Sequence, residues 1–448
     1  MIVPMSNGNR ELRRKLFWMF AVALALRLIV MAYTYPLELV PTRDHWAFAY
    51  ETGRIARSIV QGKGFSSPLF GDTGPTAWMT PVYPYILAGV FKLFGIFSRA
   101  SAFVMLSFNA LTSALTCLPI FFFARKSFGE PAADWAGWIW AFFPYEVYWP
   151  VARIWDTWLA TLLLAILFCI ALRLAESNRV RDWVGFGVLS GIAALTEPAV
   201  LAVLPILALW ALWRLHKTNQ RWLKPAVGAV LAVILVVSPW FIRNYRVFHK
   251  FIPLRDVFPL ALRVGNVGDQ FNMITLTMGP WESDEQWKDY QKSGEMVYMQ
   301  HVWSHATGYI GDHPGQYIFS FVRRIIYVWT KFWYLIPTSR YGYEPDPVDV
   351  FVYTGLSILA FLGLRGAYRK SAVVGAPYAI VLIFFPIIYY GTSIEPWYSA
   401  PMDPFLIALA AAAIASRELR QRPAIFDRFI RRTSEDESAA PAEEFAER

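Results

Sequence analysis

The stretch "YEVYWPVARIWDTWLATLLLAIL", residues 145–167, places Arg153 and Asp156 just ahead of a long uncharged run. A helix needs roughly 20 predominantly apolar residues to cross a bilayer's hydrocarbon core. A charge in such a run is costly at the centre and tolerable at the boundary. Arg153 and Asp156 therefore read as the edge of a membrane, with one span ending before them and another starting after. Comparable runs recur throughout the chain, and composition agrees: 56% of residues are hydrophobic, 17% aromatic and only 17% charged. These values predict an all-α polytopic membrane protein and exclude a set of soluble domains.

The formal charge of +9 does not call for a nucleic-acid partner. Lys and Arg concentrate in short connectors, "ARKSFG", "AESNRVRDW", "HKTNQRWLK", "RGAYRKS" and "RELRQR". With the N-terminus inside, every one of these falls on the cytoplasmic face, which predicts about ten crossings and two cytoplasmic termini. Residues 1–35 read as a cytoplasmic N-terminus and a retained first span, because Arg27 interrupts the apolar run and no small-residue cleavage site follows. Residues 36–100 form a first outer loop, 101–242 a membrane core and 243–349 a second outer region with small helices. Residues 350–417 supply the last spans, and 418–448 a polar, partly disordered cytoplasmic tail. Two further apolar segments, 78–97 with Lys92 and 317–337 with Arg323, Arg324 and Lys331, mix aromatics with cations. That mixture predicts helices lying flat on the outer surface.

The same face collects the candidate site. Asp44 and Glu51 follow the first span in "TRDHWAFAYETGRIARSIVQGKGF" (42–65), where Asp44 either caps the next helix or acts in chemistry. Asp156 stands at the matching edge, so two acids from distant parts of the chain can meet there. Glu197 lies at a turn on the same side, and "SIEPWYSAPMDPFL" adds Glu395, Tyr398 and Asp403. Cations accompany them in "PWFIRNYRVFHKFIPLRD", with Arg243, Arg246, His249, Lys250 and Arg255, although positive residues are usually depleted on this side. Guanidinium forks suit phosphate. Arg27 either snorkels or serves a buried anion. His301, His305, His313 and Glu295 have a spacing that zinc could use but that solvated helices also show; a divalent metal is possible but not indicated, and no cofactor is expected. Cys117 and Cys169 sit in apolar runs without partner spacing, which argues against disulfides. No P-loop or dinucleotide glycine motif is present.

With these residues laid out, the chain resembles the GT-C superfamily of integral-membrane glycosyltransferases. The bacterial branch related to protein O-mannosyltransferases and lipid A aminoarabinose transferase looks nearest. The likeness is carried by "RDHWAFAYETGRIARSIVQGKGF", "PTAWMTPVYPYILAGVFKLFG", "SPWFIRNYRVFHKFIPLR" and "SGEMVYMQHVWSHATGYIGDHPGQYIFSFVRR", in that order. His45 stands where the family more often has a second adjacent acid, and "PWYSAPMDP" lacks the Arg of the usual late pattern. The resemblance implies transfer of a sugar from a polyprenyl phosphate to a glycolipid, polysaccharide or protein acceptor, at the outer face of a bacterial cytoplasmic membrane. Under it, Asp44 is the general base and Asp156 its partner. Arg243, Arg246 and Arg27 bind the donor phosphate, and Glu51, Tyr83, Tyr85, Glu197, Tyr245 and Tyr398 line the cavity. A lipid-linked sugar flippase or transporter using the same cavity is the alternative; it predicts ionisable residues at mid-membrane and inverted repeats.

Overall fold

The computed structural model describes residues 7–38, 48–268, 275, 278–332 and 347–421. Asp44 and most of the C-terminal tail lie outside the described residues. Within them the chain is helical, and the only pairing of extended backbone is an isolated bridge between Ser66 and Pro75.

The helices follow one another as α1 (Asn7–Glu38), α2 (Glu51–Val60), α3 (Val82–Phe94), α4 (Arg99–Leu115), α5 (Cys117–Phe128), α6 (Glu130–Phe142), α7 (Pro144–Ala152), α8 (Thr157–Leu174) and α9 (Val180–Thr196). After a 3₁₀ turn at Pro198–Ala202 come α10 (Leu204–Lys217), α11 (Leu223–Phe248), α12 (Phe258–Asn266), α13 (Asp284–Ser293), α14 (Glu295–Asp312) and α15 (Pro314–Thr330). The last group is α16 (Pro347–Lys370), α17 (Ala372–Phe384), α18 (Ile387–Gly391), a second 3₁₀ turn at Pro396–Met402, and α19 (Asp403–Gln421).

Among the described residues, eight helical stretches are long and apolar enough to cross a bilayer. Two other expected spans are present in altered form. α9 has 17 residues, and the span expected over 135–152 is broken into α6 and α7, where Pro144 starts a new helix. Tight contacts hold the bundle together, as expected where lipid supplies no hydrophobic drive between helices. Gly187 on α9 faces the Ala229 carbonyl of α11, and Gly363 on α16 faces the Leu409 carbonyl of α19; a β-carbon at either would collide with that backbone.

The basic connectors do gather at one end. Lys15 pairs with Glu130 and Asp134, Arg125 with Glu130, and Lys126 with Glu176. Lys370 donates to the Ser127 carbonyl at the same end. The acids of the candidate site lie at the opposite end. α15 departs from the simple surface helix expected over 317–337: its cations turn inward. Arg324 is 1% exposed and donates to the carbonyls of Tyr390 and Gly265 and to Asn266 Oδ1.

Candidate active site

Asp156 sits in the cap position of α8, yet its side chain makes no capping hydrogen bond. The carboxyl is 3% exposed, and its Oδ1 has no hydrogen-bond partner among the described residues. An ordinary helix cap would use that oxygen, so capping does not account for the residue. Burial, then repulsion from Glu197, hold this carboxyl well above the usual carboxylate range, while Arg255 pulls the other way.

Glu197 ends α9 with extended backbone, and its Oε1 accepts from the Ala199 amide in the following turn. The same carboxylate takes a forked contact from Arg255, at 2.9 Å to Nη2 and 3.5 Å to Nη1. Burial alone would lower the Arg255 guanidinium, but Glu197 and then Asp156 raise it, with Tyr389 and Tyr398 also close. One cation thus faces two acids. The pair Glu197–Arg255 is satisfied internally, and Asp156 is the acid left without a charge of its own.

The walls come from four other parts of the chain. Tyr83 on α3 donates to Asn109 Oδ1 at 2.9 Å, and Asn109 Nδ2 donates to the Arg153 carbonyl at 2.9 Å. This relay fixes the turn that carries Asp156. Thr80 Oγ1 donates to the Thr196 carbonyl at 2.8 Å, holding the end of α9 beside it. From the C-terminal part, Tyr398 stacks near Trp155 and Tyr389, with ring centroids 6.2 and 5.6 Å away, and Trp155 meets Trp397 at 5.6 Å. Glu51, at the head of α2, and Glu395 both lie within electrostatic reach of Tyr398. Burial pushes Glu51 up to about 7 against its own helix amide and Arg54, and pushes Glu395 up to about 7 against Arg153. Arg153, Trp155, Glu197, Arg255, Glu395 and Tyr398 are all partly exposed around the buried Asp156. The arrangement is a polar recess floored by carboxyls and edged by rings, at the membrane-boundary end of the bundle.

Other residues expected at the site are placed elsewhere. Arg243 donates to the carbonyls of Thr76 and Phe65 at 2.6 and 2.7 Å and lies over Trp240 and Phe65. It fastens the 65–76 loop. Beside it Glu295 accepts from Thr76 Oγ1, the Ala77 amide and Tyr290, so this acid too belongs to the fastening. Arg246 is exposed, as are Tyr245 and Tyr85, at 54% and 52%. Arg27 neither snorkels nor faces a recess: it is fully buried, with Ser113 Oγ at 2.9 Å and the carbonyls of Ala23, Trp140 and Ala141 as acceptors. The cation the fold brings to Asp156 and Glu197 is Arg255, whose only sequence signal was membership of the same basic cluster. His301 pairs with Asp289 at 3.1 Å, and His313 stacks on Tyr309. Among the described residues no group of three metal-binding side chains forms.

A polytopic α-helical bundle with an acid-and-arginine recess at one membrane boundary is the class defined so far. The family model for dolichyl-phosphate-mannose-protein mannosyltransferase matches residues 78–242, which include Tyr83, Asp156 and Glu197. Among solved structures, the archaeal oligosaccharyltransferase AglB from Archaeoglobus fulgidus, in complex with an inhibitory peptide and a dolichol-phosphate, aligns with a TM-score of 0.52. That alignment has 15% identity and covers 96% of this chain and 53% of AglB. The Archaeoglobus fulgidus oligosaccharyltransferase in complex with Zn and sulfate gives 0.52 at 14% identity, over 91% of this chain and 50% of its own. ArnT from Cupriavidus metallidurans bound to undecaprenyl phosphate aligns over 88% of this chain and 77% of its own, at 14% identity and a TM-score of 0.39. The chain spans about half the length of the oligosaccharyltransferase it superposes on. No curated protein matches the sequence. The chain thus shares its fold with these oligosaccharyltransferases and, over residues 78–242, resembles the mannosyltransferase family.

Proposed function

We propose that the chain transfers a sugar from a polyprenyl-phosphate donor to an acceptor hydroxyl at the outer face of the cytoplasmic membrane. The observation that carries this reading is Asp156: a buried carboxyl with an unpartnered oxygen, set beside a forked Glu197–Arg255 pair at a membrane boundary. The dolichol-phosphate in the AglB complex supports a donor of polyprenyl-phosphate type.

The chemistry assigns the parts. A bond forms between the acceptor oxygen and the anomeric carbon, and the bond from that carbon to the phosphate oxygen breaks. The hydroxyl proton passes to a carboxylate, and the polyprenyl phosphate leaves with the electron pair. Asp44 is assigned as the base. Asp156 orients it or the sugar hydroxyls, its unpartnered oxygen being available for a hydrogen bond. Arg255 takes the role of stabilising the charge that develops on the departing phosphate. Glu51, Glu197, Tyr83 and Tyr398 line the cavity around the sugar.

The test is transfer from radiolabelled polyprenyl-phosphate sugars into membrane extracts by the purified protein. Asp44→Asn and Asp156→Asn should each cut transfer by roughly 10²–10⁴-fold with insertion unchanged. Wild-type transfer by either variant removes that residue from the mechanism. Label that crosses vesicles without joining an acceptor would mark a flippase instead.

A further inference from the structure

Beneath the recess lies a second set of buried charges that the proposed transfer does not use. Lys331 follows α15 with left-handed backbone (φ 54°) and is 4% exposed. Its ammonium donates to the Pro396 carbonyl at 3.1 Å and to Ser399 Oγ at 2.5 Å. Three rings surround it: Tyr353, Tyr145 and Tyr327 at 4.5, 4.8 and 5.3 Å from the nitrogen. Tyr145 also donates its hydroxyl to the Pro396 carbonyl. At the far end of the same turn Asp403, fully buried, accepts from Tyr353 at 2.6 Å.

Pro396–Met402 needs such help. Pro396 and Pro401 have no N–H to give, and seven residues of 3₁₀ turn have weak internal bonding. Yet this turn carries Trp397 and Tyr398 and follows directly on Glu395, all of which edge the recess. A cation enclosed by tyrosines and bonded to both the start and the middle of the turn is a device for holding it. Cation–π contacts of this kind strengthen when water is absent.

We infer that Lys331 is a positioning residue, a charged clamp that fixes Pro396–Met402 and thereby sets Tyr398 and Glu395 at the edge of the recess. Its value to catalysis rests on the reading of the recess as the transfer site; the clamp itself does not. The groups facing the ammonium are Asp403, Asp349 and Glu146, with the phenols of Tyr145, Tyr327 and Tyr353, and Arg27 stands behind Glu146. Burial pulls Lys331 down to about 8, while Asp403, Asp349 and Glu146 hold it up. Above that pH the amine loses its charge, and with it the attraction to the rings and to Asp403.

The experiment uses the full chain in lipid nanodiscs with a thiol reporter, Tyr398→Cys, and compares Lys331, Lys331→Met and Lys331→Arg at equal pH, so that thiolate chemistry cancels. At pH 7 the Met variant should label roughly fivefold faster than the Lys331 protein, because the turn opens locally. At pH 9 that ratio should approach one, and Lys331→Arg, which keeps its charge, should stay slow at both. In the protein without the reporter, Lys331→Met should lower kcat at least about tenfold with donor KM little changed, the signature of misplacement. The Arg variant should restore most of the rate and abolish the decline above pH 8. Equal labelling at pH 7, or a rate loss that only tracks a lower melting temperature, overturns the clamp. If the wild-type protein transfers no sugar, the proposed function falls, and the labelling ratio alone decides the role of Lys331.

Discussion

The molecule holds two groups of buried charge, and they differ in how far their surroundings are open. In the recess, Asp156 keeps an oxygen without a partner, and its neighbours Glu197, Arg255, Glu395 and Tyr398 are partly exposed. In the interior, Arg27, Glu146, Lys331 and Asp403 are sealed, at 0–4% exposure. There Ser113 links Arg27 to Glu146 and Tyr353 donates to Asp403, although Glu146 Oε1 and Asp403 Oδ1, like Asp156 Oδ1, have no hydrogen-bond partner among the described residues. A buried charge is retained for structure when its partners are supplied by the protein itself. A polar group left short of partners beside accessible neighbours has capacity for something that arrives later. Exposure of the neighbours, not the identity of the residues, distinguishes the two groups, since both are made of Asp, Glu and Arg or Lys.

The largest effect that could break this contrast lies in the interior. Arg27→Met removes the guanidinium facing Glu146 and leaves Ser113 and several carbonyls without their donor. It should cost about 3–5 kcal/mol of stability, read as a steep drop in melting temperature, with the transfer rate per folded molecule preserved. A normal melting curve with lost transfer would return Arg27 to the donor phosphate and erase the distinction. Arg255→Ala is the mirror experiment: transfer should fall by roughly 10²-fold with only a modest change in melting, and Arg243→Ala should disturb folding of the 65–76 loop more than donor use.

The smallest effect concerns pH. Burial gives the recess acids Glu51 and Glu395 folded-state values near 7, above their unfolded range. Their protonated forms are therefore favoured by folding. That contribution is fully present below the unfolded value and is lost as pH rises through about 7. Thermal stability from these groups should fall between pH 5 and 8, and Glu51→Gln with Glu395→Gln should flatten that slope. A slope that survives both substitutions would assign it to other acids, Asp256 and Glu295 among them, whose carboxyls burial also raises.

Much of the bundle was readable before any coordinates. Eight spans stand where long apolar runs stand, and the basic connectors meet at one end as their charge pattern required. Asp156 and Glu197 were visible because an acid at the edge of a bilayer-length run is expensive and needs a reason. Tyr398 was visible only as part of a polar break between spans. The choice among cations was not readable. Arg243 and Arg255 sit in one basic stretch with similar neighbours, yet one bonds backbone carbonyls and the other forks onto Glu197. Glu146 and Asp403, inside or beside apolar helices, gave no sign that they would face each other across the bundle.

The sequence by itself determined where the chain enters and leaves the membrane and which end collects acids, because hydrocarbon penalises each unpaired charge wherever it falls along the chain. Tertiary structure alone decided which charges are sealed between helices and which stand beside partly exposed neighbours. Glu197 and Arg255 are 58 positions apart and Tyr145 and Pro396 are 251 apart. Partnerships at such separations depend on how helices cross and on which face of each turns inward. No local pattern of residues encodes that.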